Sequence, residues 1–312
     1  MSWLRPQPWL PKPDASTAER LGDVLADIRR VEVRASRMIT DVLSGGYRST
    51  FRGLGVEFAE VREYVEGDDP RMVDWNVTAR AGRPFVKRFV EERERTLMFV
   101  PDLAPSMAYG LGAWSLRQAV SRYCAMLGLL AIENHDRVGV VVGDRLVLPQ
   151  PGGGHILRVL DDCVRPPQEN RAQLASRVAS ATAGVRRRAV MFVLSDFLAP
   201  GYEHALTLAG RRHDVVAVRF LARELFDPPR RLMRALVPGD DGGPGAEQLC
   251  DFADDGFRAA WFERVAAWRA RHDDVLGRAG IDGVDVEVPS QPDIGALAAP
   301  LLAFFRRREA RR

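Results

Sequence analysis

Apolar and polar residues alternate along this chain in two rhythms, and the places where one gives way to the other mark its elements. Leu97-Met98-Phe99-Val100, Ala189–Leu194 and Val215–Phe220, the last interrupted at Arg219, are apolar runs bounded by turn or polar residues. Runs of that length predict strands buried on both faces of a sheet. Between and after them the apolar positions recur at helical spacing, over Trp114–Glu133, Gly154–Cys163, Arg171–Ala183 and Gly201–Arg212. Arg137–Val142 and Arg145–Leu148 flank Gly143-Asp144, which predicts a hairpin and an antiparallel edge strand. Further on, the pattern predicts a strand at Leu232–Val237, a loop at Gly239–Gly245 and a helix at Asp255–Ala279. A strand at Val284–Val288 and a last helix at Ile294–Arg308 follow. Strand and helix in alternation imply an α/β fold with a mostly parallel sheet flanked by helices.

The first hundred residues differ in kind. Residues 1–15 hold four prolines with Trp3 and Trp9, the composition of an extended arm. Ser16 and Glu19 have capping-box spacing. A helix is expected from there to about Leu43, with Leu21, Val24, Leu25, Ile28 and Val31 on its apolar stripe, ending at Ser44-Gly45-Gly46. Val56–Tyr64 and Phe85–Val90 read as strands, separated by a turn at Glu66–Pro70, a short helical turn at Met72–Ala79 and a turn at Gly82-Arg83-Pro84. The expected organisation is therefore an arm and long helix over 1–46, a small β-rich module over 47–95, and an α/β domain over 96–312.

Composition narrows the class. With 46% hydrophobic and 28% charged residues, the chain is globular rather than disordered. A net charge of +3 makes no case for nucleic acid. Only Lys12 and Lys87 are lysines among the 45 basic residues, so scattered arginine reads as a compositional bias and marks no site. Cys124, Cys163 and Cys250 are far apart and fit neither a disulfide framework nor a metal knot. A reducing, cytoplasmic setting follows. No segment has the apolar length of a membrane span, and the N-terminus lacks the plan of a signal peptide. The histidines show no ligand spacing. Gly152-Gly153-Gly154-His155 lacks the Lys-Ser/Thr of a phosphate-binding loop and reads as a turn.

Candidate chemistry lies at the ends of two apolar strands, at Asp102 and Asp196. In a parallel sheet both emerge from one edge, with Ser106 on the first loop and Ser195 beside the second acid. Oxygen ligands converging there could hold a hard cation such as Mg²⁺. The competing structural role is an Asp that caps a helix or ties down its own loop.

Asp102-x-Ala104-x-Ser106, with Asp196 after a later strand, resembles the metal-ion-dependent adhesion site of von Willebrand factor A domains. That site reads Asp-x-Ser-x-Ser, with a Thr and an Asp on two further loops. Upstream stand Gly53-x-Gly55-x-Glu57-Phe58, Arg62-x-Tyr64, Gly67-Asp68-Asp69-x-Arg71, Asp74-Trp75, Thr78-Ala79-Arg80-x-Gly82-x-Pro84-x-Val86-Lys87-x-Phe89 and Glu92-Arg93. This ordered series resembles the bacterial proteins called "domain of unknown function 58". The resemblance implies a von Willebrand A-like, Rossmann-like sheet and association with MoxR-type AAA+ ATPases. The implied role is that of a non-catalytic adaptor in the assembly or maturation of an unknown client protein. Ala104 and Ala172 stand where hydroxyl ligands are usual, so Mg²⁺ binding at Asp102, Ser106 and Asp196 is expected to be weak and the adhesion site degenerate. In the module, Arg62, Tyr64, Asp68, Asp69, Asp74, Trp75, Arg80 and Lys87 are the partner-binding candidates. A charge density like theirs also suits an internal salt-bridged network. The alternative reading is a metal-dependent, phosphoesterase-like hydrolase using Asp102 and Asp196, for which the sequence offers no clear general base.

Overall fold

The computed structural model describes residues 19–31, 47, 56–91, 94–165, 173–237 and 246–311. The capping pair at Ser16, the helix beyond Val31, the loop at 239–245, and Ala172, Glu92 and Arg93 lie outside them.

The three apolar runs are strands at the heart of a six-stranded sheet: β3 (Thr96–Pro101), β6 (Val190–Ser195) and β7 (Asp214–Leu221). With β4 (Arg137–Val142), β5 (Arg145–Gln150) and β10 (Asp282–Glu287), the order across the sheet is β10-β7-β6-β3-β4-β5. All neighbours run parallel except β4 and β5, joined through Gly143 at φ 59° into the hairpin the sequence predicts. Numbered within this sheet, the order is that of a doubly wound α/β fold, reversing direction between β3 and β6.

Period-two alternation decides which helices cover which face. Leu97, Phe99, Val190, Phe192, Val216 and Val218 point to one side. There they pack against α3 (Leu116–Glu133), α4 (Gly153–Val164) and α8 (Ile294–Ala310). Met98, Val100, Met191, Val193, Val215 and Ala217 point to the other. Here α5 (Leu174–Gly184), α6 (Glu203–Arg212) and the end of α7 (Asp255–Ala279) close over them. Both faces are thus dry, which is why these strands carry no polar alternation.

Helix α1 (Leu21–Val31) lays Val24 and Ile28 into the first of these cores. It is pinned by Arg122 on α3, which is 4% exposed and bonds Glu19 at 2.6 Å and Asp27 at 2.5 Å beneath the Trp114 ring. Burial raises the Glu19 pKa, while Arg122 opposes that shift. Tyr47 belongs to the same core, its hydroxyl donating to Asp136 at 2.5 Å.

Two hairpins lie apart from this sheet. β1 (Val56–Glu63) pairs with β2 (Phe85–Glu91), and β8 (Leu232–Val237) with β9 (Ala246–Asp251), both antiparallel. Strand β9 is not expected from its sequence, Ala-Glu-Gln-Leu-Cys-Asp, which has little apolar signal. Its pairing with β8 and the burial of Cys250 define it. Between β1 and β2 the expected helical turn begins later, as α2 (Trp75–Ala81), because Asp74 caps it and Pro70–Met72 forms a separate 3₁₀ turn.

The hairpin edge has one tight point. A Cβ on Gly139 would stand 2.6 Å from the Val147 carbonyl oxygen and 2.8 Å from Pro149 N, both backbone atoms. Gly139→Ala is expected to cost about 1–3 kcal/mol through overpacking, read by urea unfolding. A change within a few tenths of a kcal/mol would contradict the close approach.

Candidate functional site

Asp102 follows β3 and Asp196 follows β6, the two strands between which the sheet order reverses. In doubly wound sheets, ligands bind in the crevice at such a switch point. Parallel register sets Pro101 opposite Leu194, and the Asp102 N–H donates to the Leu194 carbonyl at 2.7 Å. The two acids therefore leave one edge side by side, with 2% and 3% of their surface exposed.

Their surroundings differ. Asp102 is fully engaged. Its Oδ1 accepts from Arg177 Nη2 at 2.6 Å and from the Ala104 N–H at 3.0 Å, and its Oδ2 accepts from the Ser195 hydroxyl at 2.6 Å. Arg177 projects from α5 and is 1% exposed, with Nε and Nη1 unbonded. Arg117, from the other side of the sheet, donates to the Leu103 carbonyl at 3.1 Å. Burial lowers the Arg117 pKa, Asp102 raises it and Arg177 lowers it. Asp196 lacks such a partner. Its Oδ1 accepts from the Leu198 N–H at 3.0 Å, and its Oδ2 makes no hydrogen bond. Burial, followed by the nearby Asp102 charge, raises its pKa to about 6, against the smaller opposing influence of the Leu198 N–H and the Ser106 hydroxyl.

The loop after Asp196 is held with care. Phe197 has φ 54°, a left-handed conformation that costs a residue with a Cβ about 1–2 kcal/mol. Its N–H donates to the Ser195 oxygen at 2.9 Å, and its carbonyl accepts from Trp268 Nε1 at 2.9 Å. Its ring lies against His272 at 4.3 Å.

Of the three predicted ligands, the structure brings Asp102 and Asp196 together, with half-buried Ser106 near Asp196 on the 3₁₀ turn Pro105–Ala108. Residue Ala104, at the head of that turn, offers no side-chain oxygen. A divalent cation between the acids would share Asp102 with Arg177 and Ser195 and have the guanidinium charge at its side, a donor set that opposes one. Among the described residues, no group of three or more His, Cys, Asp or Glu side chains could hold a metal ion. Arg177, Arg117 and Phe197 were not singled out by sequence. Arg177 sits one turn inside α5, in a chain whose abundance of arginine hides any one of them.

The signature module resolves most of its charges internally. Arg62 forks onto Asp68 at 2.7 and 2.9 Å, and Asp68 also accepts from the Val65 N–H. Both shifts follow from this contact: the Arg62 pKa is raised and the Asp68 pKa lowered. The Tyr64 hydroxyl donates to the Asp68 carbonyl, and Asp69 caps the 3₁₀ turn through the Arg71 N–H. Asp74 accepts from the Asn76 and Val77 N–H groups and pairs with Lys87 at 3.5 Å. These six candidates have structural employment. The remaining two, Trp75 and Arg80, are exposed, Trp75 to 72%. At Gly152–His155, His155 Nε2 donates to the Val138 carbonyl at 3.0 Å, tying the helix start to β4.

Fold and site together define a doubly wound α/β protein with a buried acid–arginine cluster at the switch point of its sheet. By sequence the chain belongs to the family described as "Protein of unknown function DUF58", which it matches over residues 60–229. It is 28% identical over 211 residues to "Uncharacterized protein Rv1480" of Mycobacterium tuberculosis and, equally, to "Uncharacterized protein Mb1516" of Mycobacterium bovis. Each match covers 65% of this chain and 65% of the relative, so about a third of each relative lies outside the similarity. Among solved structures, an aerotolerance-related membrane protein from Bacteroides fragilis aligns with a TM-score of 0.40 and 13% identity, covering 70% of this chain and all of that one. No helix among the described residues is long and apolar enough to cross a membrane.

Proposed function

We propose that this protein is a non-catalytic interaction protein that works with a MoxR-type AAA+ ATPase in the assembly or maturation of a client protein, in the cytoplasm. In this reading the main sheet is von Willebrand A-like and its adhesion site is degenerate. The antiparallel edge strand, the order of the other five and the paired acids at the switch point support the first part. The Arg177 guanidinium on Asp102 supports the second: a fixed internal cation does the neutralising that an ion would otherwise do. Three buried, free cysteines suit a reducing compartment.

The observation that carries the adaptor reading is Trp75. It stands 72% exposed on a short helix whose cap, Asp74, is locked to Lys87, in a module whose other charged groups largely satisfy one another. A large, preorganised aromatic exposed to water is what an interface anchor looks like before its partner arrives. The test is calorimetric titration of the purified protein with a MoxR-type AAA+ ATPase. Trp75→Ala is expected to weaken binding at least tenfold with little change in the unfolding midpoint, since most of the side chain lies in water. Equal affinity for variant and wild type would remove the module from the interface.

The hydrolase alternative draws on one feature, the raised pKa of Asp196, which suits general acid–base work. Against it, both Asp102 oxygens are occupied. Phosphoesterase turnover with Mn²⁺ that is abolished in Asp102→Ala would replace the adaptor reading.

A further inference from the structure

Behind the Phe197 loop, between α7, α8 and the β7–β10 edge, lies a cavity of about 340 Å³. Its wall is built from charge. Arg219 on β7 forks onto Asp285 of the neighbouring strand through Nε at 2.8 Å and Nη2 at 2.9 Å, and Nη2 also meets Asp273 at 3.0 Å. Its Nη1, buried with the rest of the side chain, has no partner. Arg269 donates to Asp285 at 2.7 Å. Arg307 reaches the cavity from α8, is exposed, and forms no ion pair among the described residues.

His272 completes the wall and is 1% exposed. Its Nδ1 lies 2.8 Å from the Tyr202 hydroxyl. Burial raises the Tyr202 pKa, so the phenol keeps its proton, and Nδ1 is the acceptor within reach. Burial, reinforced by Arg219, lowers the His272 pKa to about 4, so the ring is neutral, and with the Tyr202 hydroxyl donating to Nδ1 its single proton lies on Nε2. That N–H has no partner either. Three arginines face two carboxylates and a neutral imidazole, leaving one positive charge in excess and two buried donor groups with nothing to donate to. A buried, unsatisfied donor is costly, and two such donors beside an excess of arginine favour an anion, although the exposed Asp273 carboxylate on the same wall is paired only through Oδ1.

We propose that this cavity binds a small molecule through an oxyanion, a carboxylate or phosphate group held by Arg219 Nη1 and His272 Nε2 and neutralised by Arg307. The volume falls at the lower end for small-molecule pockets. The site is distinct from the acid–arginine cluster and owes nothing to the adaptor reading.

The experiment is calorimetric titration and thermal unfolding of the full chain with inorganic phosphate in one arm and succinate in the other, against chloride at matched ionic strength. At least one anion is expected to bind saturably and to raise the midpoint with concentration, as ligand linkage requires. Response to phosphate alone, succinate alone or both identifies the group. Arg307→Ala should weaken binding at least tenfold; its side chain is exposed, so folding is not at stake. Arg306→Ala, one residue along and outside the cavity, should leave binding unchanged. Absence of any effect beyond chloride, or equal effects of the Arg306 and Arg307 substitutions, overturns the proposal.

Discussion

Arg177→Met is expected to cost the fold about 3–5 kcal/mol, the range for removing one partner of a buried ion pair. The side chains of Arg177 and Asp102 are 1% and 3% exposed, and they meet at 2.6 Å. Methionine keeps much of the volume, so the loss is electrostatic: Asp102 is left charged in a dry site, with only Ser195 and the Ala104 N–H to hold it. The double variant Arg177→Met/Asp102→Asn should recover much of the loss, because a neutral pair needs no compensation. Urea unfolding of the four proteins in this cycle gives the coupling directly. The same series tests the ion. Magnesium should leave the unfolding midpoint of the wild type unchanged and raise that of Arg177→Met, where a divalent cation can take over the vacated charge. A chelator-reversible stabilisation of the wild type by Mg²⁺ would show that Arg177 yields its place and that the adhesion site is intact.

That residue also marks the boundary of what could be read from sequence. The central strands were legible because burial on both faces leaves an unbroken apolar run, as in Val190–Leu194. The hairpin was legible because Gly143-Asp144 declares its turn. The two acids were legible because each directly follows such a run. Arg177 was not. A search for the missing second-loop hydroxyl looks before Leu174, whereas the group that meets Asp102 comes one turn later, from a helix whose packing on the sheet aims it at the rim. Nothing in the local pattern separates it from Arg171 or Arg186. The module shows the converse. Asp68, Asp69 and Asp74 looked like recognition residues by type and density, and backbone N–H groups turn out to claim all three. Turn and cap chemistry uses the same side chains as binding, so a residue such as Asp69 is both exposed and employed in a cap. Exposure without a hydrogen-bonded role is what sets Trp75 apart.

Asp196→Asn is expected to stabilise the protein at pH 8 and to have little effect near pH 4. In the native state the carboxyl titrates at about 6, against an ordinary aspartate value of 3.8. A pKa raised by folding means that the native protein keeps a proton the unfolded chain has already released. The wild type therefore enjoys full stability from this group below about pH 4, loses it as pH climbs through 6, and is penalised above. The penalty is at most about 3 kcal/mol from the size of the shift. Asparagine carries no charge at any pH and can keep the Leu198 N–H bond through its own oxygen. The difference between variant and wild type should thus grow from near zero to that ceiling across the window from 4 to 7, as measured by urea unfolding at several pH values. A pH-independent difference would mean that Asp196 is solvated or paired. Ser106→Ala should widen the gap, since the hydroxyl is one of the groups holding the pKa down. An acid kept buried, unpaired and costly beside a neighbour that is fully satisfied is poised to accept one more donor, and in the adaptor reading that donor belongs to the partner. Binding of the ATPase should then be weaker at pH 5, where Asp196 is mostly protonated, than at pH 8, and that pH dependence should vanish in Asp196→Asn.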